Sequence, residues 1–277
     1  MNAGPPLLFD RQAVLRHRSR AAGIPGDAFL LEEVSGGLAE RLAAVNRHFE
    51  YGLDLEGRAR LGAAAGNWVD ISLAENDALP VEPESFDLVV SALTLHAIND
   101  LPGVLAQIRR ALKPDGLFLA ALFGGDTLSE LRNSFASAEA ETTGGISPRV
   151  APLADVRDLG GLLQRAGFAL PVADVERTTV RYRNFADLVR DLRLHGETNA
   201  LSQRSRKPLR RKTLAALLEH YQSRHADPDG RLRATFDIVY LTGWAPHASQ
   251  QKPLKPGTAT TRLADALGTS ERKIRND

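Results

Sequence analysis

The chain has 277 residues, 43% of them hydrophobic and 25% charged, with a formal net charge of +1; this suits one large domain, or one domain with an appendage, and gives no global pull toward nucleic acid or membrane. It has no cysteine, which excludes disulfides, thiolate metal sites and thiol catalysis and fits a cytoplasmic location. No apolar run reaches the length needed to span a membrane.

Taken in chain order, Val14 to Phe49 carries apolar residues at helical spacing, weakened or broken at Gly36-Gly37. YGLDL (51–55) reads as a short strand, and GRARLGAAAG (57–66) has room for a short helix at most. NWVDISLA (67–74) is a second strand, and SFDLVVSAL (85–93) is a buried one with β-branched Val89 and Val90. LPGVLAQIRRAL (101–112) is an amphipathic helix ended by the KPDG turn, and LFLAALFGG (117–125) is a further buried strand. The next helix opens with Thr127 as N-cap and Glu130 three residues on, the spacing of a capping box. A helix over 155–168, a strand over 172–183, helices over 185–196 and 209–225 and a long strand over 232–244 complete the pattern. The Pro-, Lys- and Gly-rich stretch that follows reads as a flexible tail over 249–277. The expected division is an N-terminal helical arm (1–50), a central domain (51–248) with a helical insertion near 184–226, and that tail.

Strand and helix alternate through the middle of the chain. This predicts a Rossmann-like α/β sheet, mainly parallel, with helices on both faces and ligands at the carboxyl ends of the strands. The acids at those ends are Asp54, Glu56, Asp77 and Asp126.

LDLEGR (53–58), NDALPVEPESFDLVVSALTLH (76–96) and LKPDGLFL (112–119) resemble the class I S-adenosylmethionine-dependent methyltransferases of the type 11 group. FDRQAVLRHRSRAA (9–22), LHGETNALSQRSRKPLRRKTL (194–214) and ATFDIVYLTGWAPHASQQKPLKPGTA (234–259) resemble a narrower branch of it. That branch holds the mitochondrial assembly factor of respiratory complex I, understood to hydroxylate an arginine of a complex I subunit, and its proteobacterial relatives. The enzyme of the biotin pathway that methylates malonyl-acyl carrier protein is a more distant cousin. The resemblance implies S-adenosyl-L-methionine as cofactor and a protein substrate or complex I subunit as partner. The residues themselves point to no nucleic acid and no metal: the basic run 204–212 has no interleaved aromatics, and the seven histidines are scattered with no HExxH spacing.

By that resemblance, Asp54, Glu56 and Gly57 form the cofactor turn. Asp77, Ala78 and Leu79 meet the adenine, and Ser91 and Leu93 lie beneath the cofactor. His96, Tyr182, Glu197 and Asn199 are the residues expected around the substrate; the resemblance names no catalytic residue.

The turn is reduced, however. Only Gly57 remains of the family's glycine pattern, and Arg58 and Arg60 stand where the cofactor's sulfonium should lie. A helix, a strand, a second helix and a third strand between Leu55 and Asp77 would need roughly 40 residues. The chain supplies about half that length, so one strand–helix unit is missing after the first strand. Because ENDALP follows WVDIS directly, WVDIS aligns with the family's third strand. The absent strand is then the second, which carries the acid for the ribose hydroxyls. Asp70 replaces that acid only if WVDIS is itself the second strand. The expectation is a methyltransferase-family protein with a degenerate cofactor site. The alternatives are a complex I assembly factor acting on a protein arginine and a non-catalytic scaffold. The run RSRKPLRRK (204–212) holds six cations in nine residues and reads as a solvated helix start.

Overall fold

A computed structural model describes residues 7–61, 64–251, 261–266 and 268–269. The chain divides into two compact units, Met1–Pro246 and His247–Asp277. Most of the tail expected over 249–277 lies outside the described residues; within the second unit Leu263–Ala266 forms one helical turn.

The first unit is built on six strands: β1 (Tyr51–Leu55), β2 (Asn67–Ile71), β3 (Phe86–Ala92), β4 (Leu112–Gly124), β5 (Ala169–Tyr182) and β6 (Leu232–Trp244). They lie in the order β2-β1-β3-β4-β6-β5. The first four are parallel, and β6 and β5 run antiparallel to their neighbours. The helices are α1 (Arg11–Ala21), α2 (Phe29–Ala43), α3 (Leu101–Ala111), α4 (Ser129–Thr143), α5 (Val156–Arg165), α6 (Phe185–Leu194) and α7 (Arg211–His225).

The continuous apolar runs of β3 and β4 follow from burial on both faces. Leu88, Val90, Leu119, Ala121 and Phe123 face α2, α6 and α7. Val89, Phe118, Ala120 and Leu122 face α3 and α5. Successive residues thus feed two cores, as the pleat dictates.

Three expectations are corrected. The helix is not broken at Gly36-Gly37: α2 runs through both. A Cβ at Gly37 would collide with the Tyr240 hydroxyl, so the glycine admits β6 against the helix. Thr127 does not cap α4, whose cap residue is Leu128 at φ 56°. The Thr127 hydroxyl instead bonds Gly124 O at 2.8 Å and accepts from Asp237 N at 2.9 Å, while Glu130 accepts from Thr235 N at 3.1 Å. Both side chains tie the start of α4 to β6.

The third correction concerns the shortened interval. β2 pairs directly with β1, Asp54 opposite Asp70, and so occupies the second-strand place. Among the described residues between β1 and β2 there is no helix. The connection from Glu56 to Gly66 thus returns the chain to the start of a parallel neighbour of β1.

Candidate functional site

The site lies at the carboxyl ends of β1 and β3, with α1 and the turn after α6 beside them. It is dominated by side chains bonded to one another. Glu56 (φ 67°), Gly57 (φ 62°) and Arg60 (φ 52°) give the turn after β1 a left-handed backbone that closes it over Asp54. Asp54 is 4% exposed and accepts from the amides of Arg58 at 3.2 Å and Arg60 at 3.0 Å. Burial pushes its carboxyl up to about 6; the turn amides oppose this, and the nearby Asp70 charge adds to it. Asp54 therefore holds the turn rather than facing the cleft. A Cβ at Gly57 would come within 3.2 Å of the Asp70 carboxyl, so the acid of β2 lies over this glycine.

Glu56 points to the N-terminal arm. Its carboxylate accepts from Arg11 Nη2 at 2.6 Å and from Leu73 N at 3.3 Å. The two side chains are 6% and 7% exposed, a buried ion pair. One helical heptad on, Arg18 Nη2 donates to Leu93 O at 3.4 Å, just past the end of β3. Arg58 Nη2 donates to His195 O at 3.2 Å. Burial first, and then the Arg58 charge, lower Arg18 to about 10.

Arg18 also lines a cavity of about 290 Å³. Its walls include Val14, Phe123, Leu131, Phe135, Leu192 and Phe236, and Arg18, His96, Glu197 and Asn199 supply polar groups. His96 Nε2 donates to Glu197 Oε2 at 2.9 Å. Arg58 Nη2 stands 3.9 Å from Glu197 Oε1, which is buried and has no hydrogen-bond partner. Burial alone would raise the Glu197 carboxyl, but His96, Arg58 and Arg18 outweigh it and hold the group at about 2. Asn199 serves the wall, donating to Pro148 O at 2.9 Å and accepting from Leu201 N at 3.0 Å.

Of the four residues expected around the substrate, His96, Glu197 and Asn199 meet at this cavity. Tyr182 does not line it. Its hydroxyl donates to Asp191 in the core under α6, because the last residue of β5 turns inward there.

A testable consequence follows from Glu197. Its folded pKa lies below the ordinary value of 4.5, so its charged interactions stabilise the fold fully above that value and are lost as pH falls toward about 2. Glu197→Gln removes the contribution. The gap in unfolding free energy between the two proteins should therefore be largest near neutrality and close as the pH is lowered to about 2.5. Urea melts across that range check this; a gap that widens on acidification would contradict it.

Among the residues expected to meet the adenine, Asp77 adopts φ 60° and is 5% exposed. Its Oδ2 accepts from the amides of Asn99 at 3.1 Å and Asp100 at 3.3 Å, whereas Oδ1 is buried without a partner. The neighbouring amides are engaged: Ala78 N donates to Asn76 Oδ1 at 3.3 Å and Leu79 N to Gln107 Oε1 at 2.8 Å. Ser91 Oγ is buried and partnerless, and Leu93 sits at φ 48°. Asp126 stands apart, paired with Arg177 at 2.9 Å on the surface. Among the described residues no group of three His, Asp or Glu is placed to hold a metal ion, and no helix is long and apolar enough to cross a membrane.

Sequence reasoning missed Arg11 and Arg18 as site residues. Their signal was their spacing: seven positions apart, they share the face of α1 that buries Val14.

Comparison with known proteins places these features in context. The methyltransferase domain family matches residues 34–120. The mitochondrial arginine-hydroxylase NDUFAF5 of Danio rerio is 37% identical over 286 residues, covering 93% of this chain and 89% of that protein. Its namesake from Homo sapiens is also 37% identical, covering 93% of this chain and 83% of its own length. The malonyl-[acyl-carrier protein] O-methyltransferase of Laribacter hongkongensis is 38% identical over 184 residues, 66% of this chain and 59% of that one. A candidate methyltransferase from Bacillus halodurans shares the fold, with a TM-score of 0.51 at 16% identity over 77% of this chain and 99% of its own.

Proposed function

Because this chain belongs to the family of the arginine hydroxylases named NDUFAF5 and carries its methyltransferase domain, we propose that it acts on an arginine of a protein partner, a subunit of respiratory complex I, and that its S-adenosyl-L-methionine site is degenerate. The observation that carries this reading is Glu197 Oε1, a buried carboxylate oxygen without a hydrogen bond beside an apolar cavity. An arginine offers the matching shape. Its methylene stem suits apolar walls, and its guanidinium supplies a charge-assisted donor to the carboxylate. His96 holds the other oxygen and so orients the acid.

The cofactor's own chemistry argues against its fit. S-adenosyl-L-methionine supplies an electrophilic methyl group on a positively charged sulfur. The Leu93 carbonyl, in the run expected beneath it, already accepts from Arg18, and Arg58 lies close by. A third cation about 4 Å from either would meet a repulsion of about 4 kcal/mol at an effective dielectric constant near 20. Asp54 and Glu56 are committed to the turn and to Arg11. At the adenine end, Asp77 Oδ1 alone still awaits a donor, which favours a residual, weak adenine contact as a second reading.

Deletion of the gene in a host that makes complex I tests the proposal. Assembled complex I should fall, the parent gene should restore it, and Glu197→Gln should not, despite normal accumulation of the variant. Normal complex I in the deletion strain would contradict the proposal. Biotin auxotrophy with normal complex I would instead point to the malonyl-acyl carrier relatives.

A further inference from the structure

The basic run 204–212 is tied in the structure to the N-terminal arm. Up to Arg210 it lies ahead of α7. A bridge between Phe9 and Leu201 joins the two stretches, with Asp10 N donating to Ala200 O at 2.8 Å and Ser202 N to Leu8 O at 2.9 Å. The cations of both stretches therefore meet. Arg204 pairs with Asp10 at 2.9 Å, and Arg206 and Arg16 stand 3.8 and 4.0 Å from the same carboxylate. Among the described residues no second carboxylate lies within 4.0 Å of these three, and none lies within 4.0 Å of Arg20 or Lys207.

From Arg11 to Gly26 and from Thr198 to Leu218 the sequence holds no acid. Glu197, just before the second stretch, is held by His96, and Glu56 by Arg11. His17, whose Nδ1 is 3.0 Å from Thr198 O, registers the resulting field. Burial first, and then the charges of Arg204, Arg20 and Arg16, hold its imidazole below the ordinary value against the pull of the Thr198 carbonyl. The face is open: Arg16 and Arg206 are 53% and 77% exposed, and Arg20 and Lys207 are exposed as well. It also adjoins the apolar cavity. Arg16 stands between Val14 and Arg18, both of which line that cavity, and Arg204 and Arg206 follow Leu201, which lines it too.

We propose that Arg16, Arg20, Arg204, Arg206 and Lys207 form a docking face for an acidic stretch of the protein partner, the stretch that flanks the arginine entering the cavity. The proposal rests on the reading of that cavity as an arginine pocket. A guest whose side chain fills the cavity carries its sequence neighbours past the wall, at about 3.3 Å per extended residue. Carboxylates at those positions meet cations that Asp10 leaves unmatched. Complementary charge of this kind steers encounter and fixes register. Leu7 and Leu8, exposed beside Ser202, add an apolar edge to the face and make a bilayer the rival occupant.

Calorimetric titration of the full chain with short synthetic peptides tests the proposal. One peptide carries an arginine between Asp/Glu flanks, a second the same arginine between alanine flanks, and a third glutamine between the acidic flanks. At low salt the acidic flanks should tighten binding about tenfold over alanine, and the gain should shrink in 0.5 M NaCl. Arg16→Gln combined with Arg206→Gln should lose most of that gain. Arg157→Gln combined with Arg165→Gln, the same change of charge at exposed positions on α5, should keep it. No gain from the acidic flanks, with or without binding of either peptide, would overturn the docking face; so would a gain that persists in high salt or falls equally in both double variants. Replacing the central arginine by glutamine tests the pocket separately: equal affinity there contradicts the arginine reading, while the flank comparison still decides the face. Vesicles of phosphatidylcholine with about a third phosphatidylglycerol supply the last arm. If they bind the chain through Arg16 and Arg206 while acidic flanks bring no gain, the surface belongs to a bilayer and the proposal falls.

Discussion

Arg11→Ala should lower the stability of the fold by about 3–5 kcal/mol, the loss seen when one member of a buried ion pair is removed. Both partners are almost fully buried, at 6% and 7% exposure, and the Arg11–Glu56 contact is 2.6 Å. Without Arg11 the Glu56 carboxylate keeps one hydrogen bond, from the Leu73 amide 3.3 Å away, in an almost fully buried position. The cost is the stranded charge rather than the lost attraction. A second change shows this. Arg11→Met combined with Glu56→Gln removes both charges while keeping side-chain length, and should recover most of the loss. Urea unfolding of the parent, the single and the double variant measures all three values. A loss under about 1 kcal/mol for Arg11→Ala would mean that the arm does not close on the β1 turn as described.

That closure was the part of the site least legible in the sequence. Regular structure is written locally: the Val-rich run before Ser91 and the apolar run from Leu117 to Phe123 announce buried parallel strands, and the count between Leu55 and Asp77 exposes the missing unit. The slot taken by β2 is a question of pairing, and WVDIS would form the same strand in either place. The ladder with β1 answers it and returns Asp70 to the acid-bearing neighbour strand. Thr127 and Glu130 have capping spacing, but β6 offered them better partners. Gly36-Gly37 carries a helix-breaking propensity of about 1 kcal/mol per residue, which packing of β6 on α2 overrides. His96 and Glu197, 101 residues apart, were named separately by family strings; that they form one hydrogen bond is a tertiary fact. Arg11 and Arg18 act on partners 45 and 75 residues away, beyond anything periodicity encodes.

The largest expected effect is on the cofactor. One ordinary family contact is lost, the open carbonyl beneath the methionine, which already accepts from Arg18; β2 stands in the second-strand place and brings Asp70 there as an acid. Each lost charged contact weakens binding by about 1.5–3 kcal/mol, roughly tenfold to over a hundredfold. One such loss, together with a repulsion of about 4 kcal/mol from Arg18 and Arg58, takes a micromolar binder to about the millimolar range or beyond. Asp77→Ala should accordingly change little, because the single remaining adenine contact cannot hold the ligand alone. Calorimetric titration of the purified, cooperatively folded chain with S-adenosyl-L-methionine and with S-adenosylhomocysteine measures this directly. The account predicts no saturable heat below about 1 mM for either ligand. A dissociation constant in the low micromolar range for either would contradict it, and would place the ribose on Asp70, the acid of β2 that stands over Gly57.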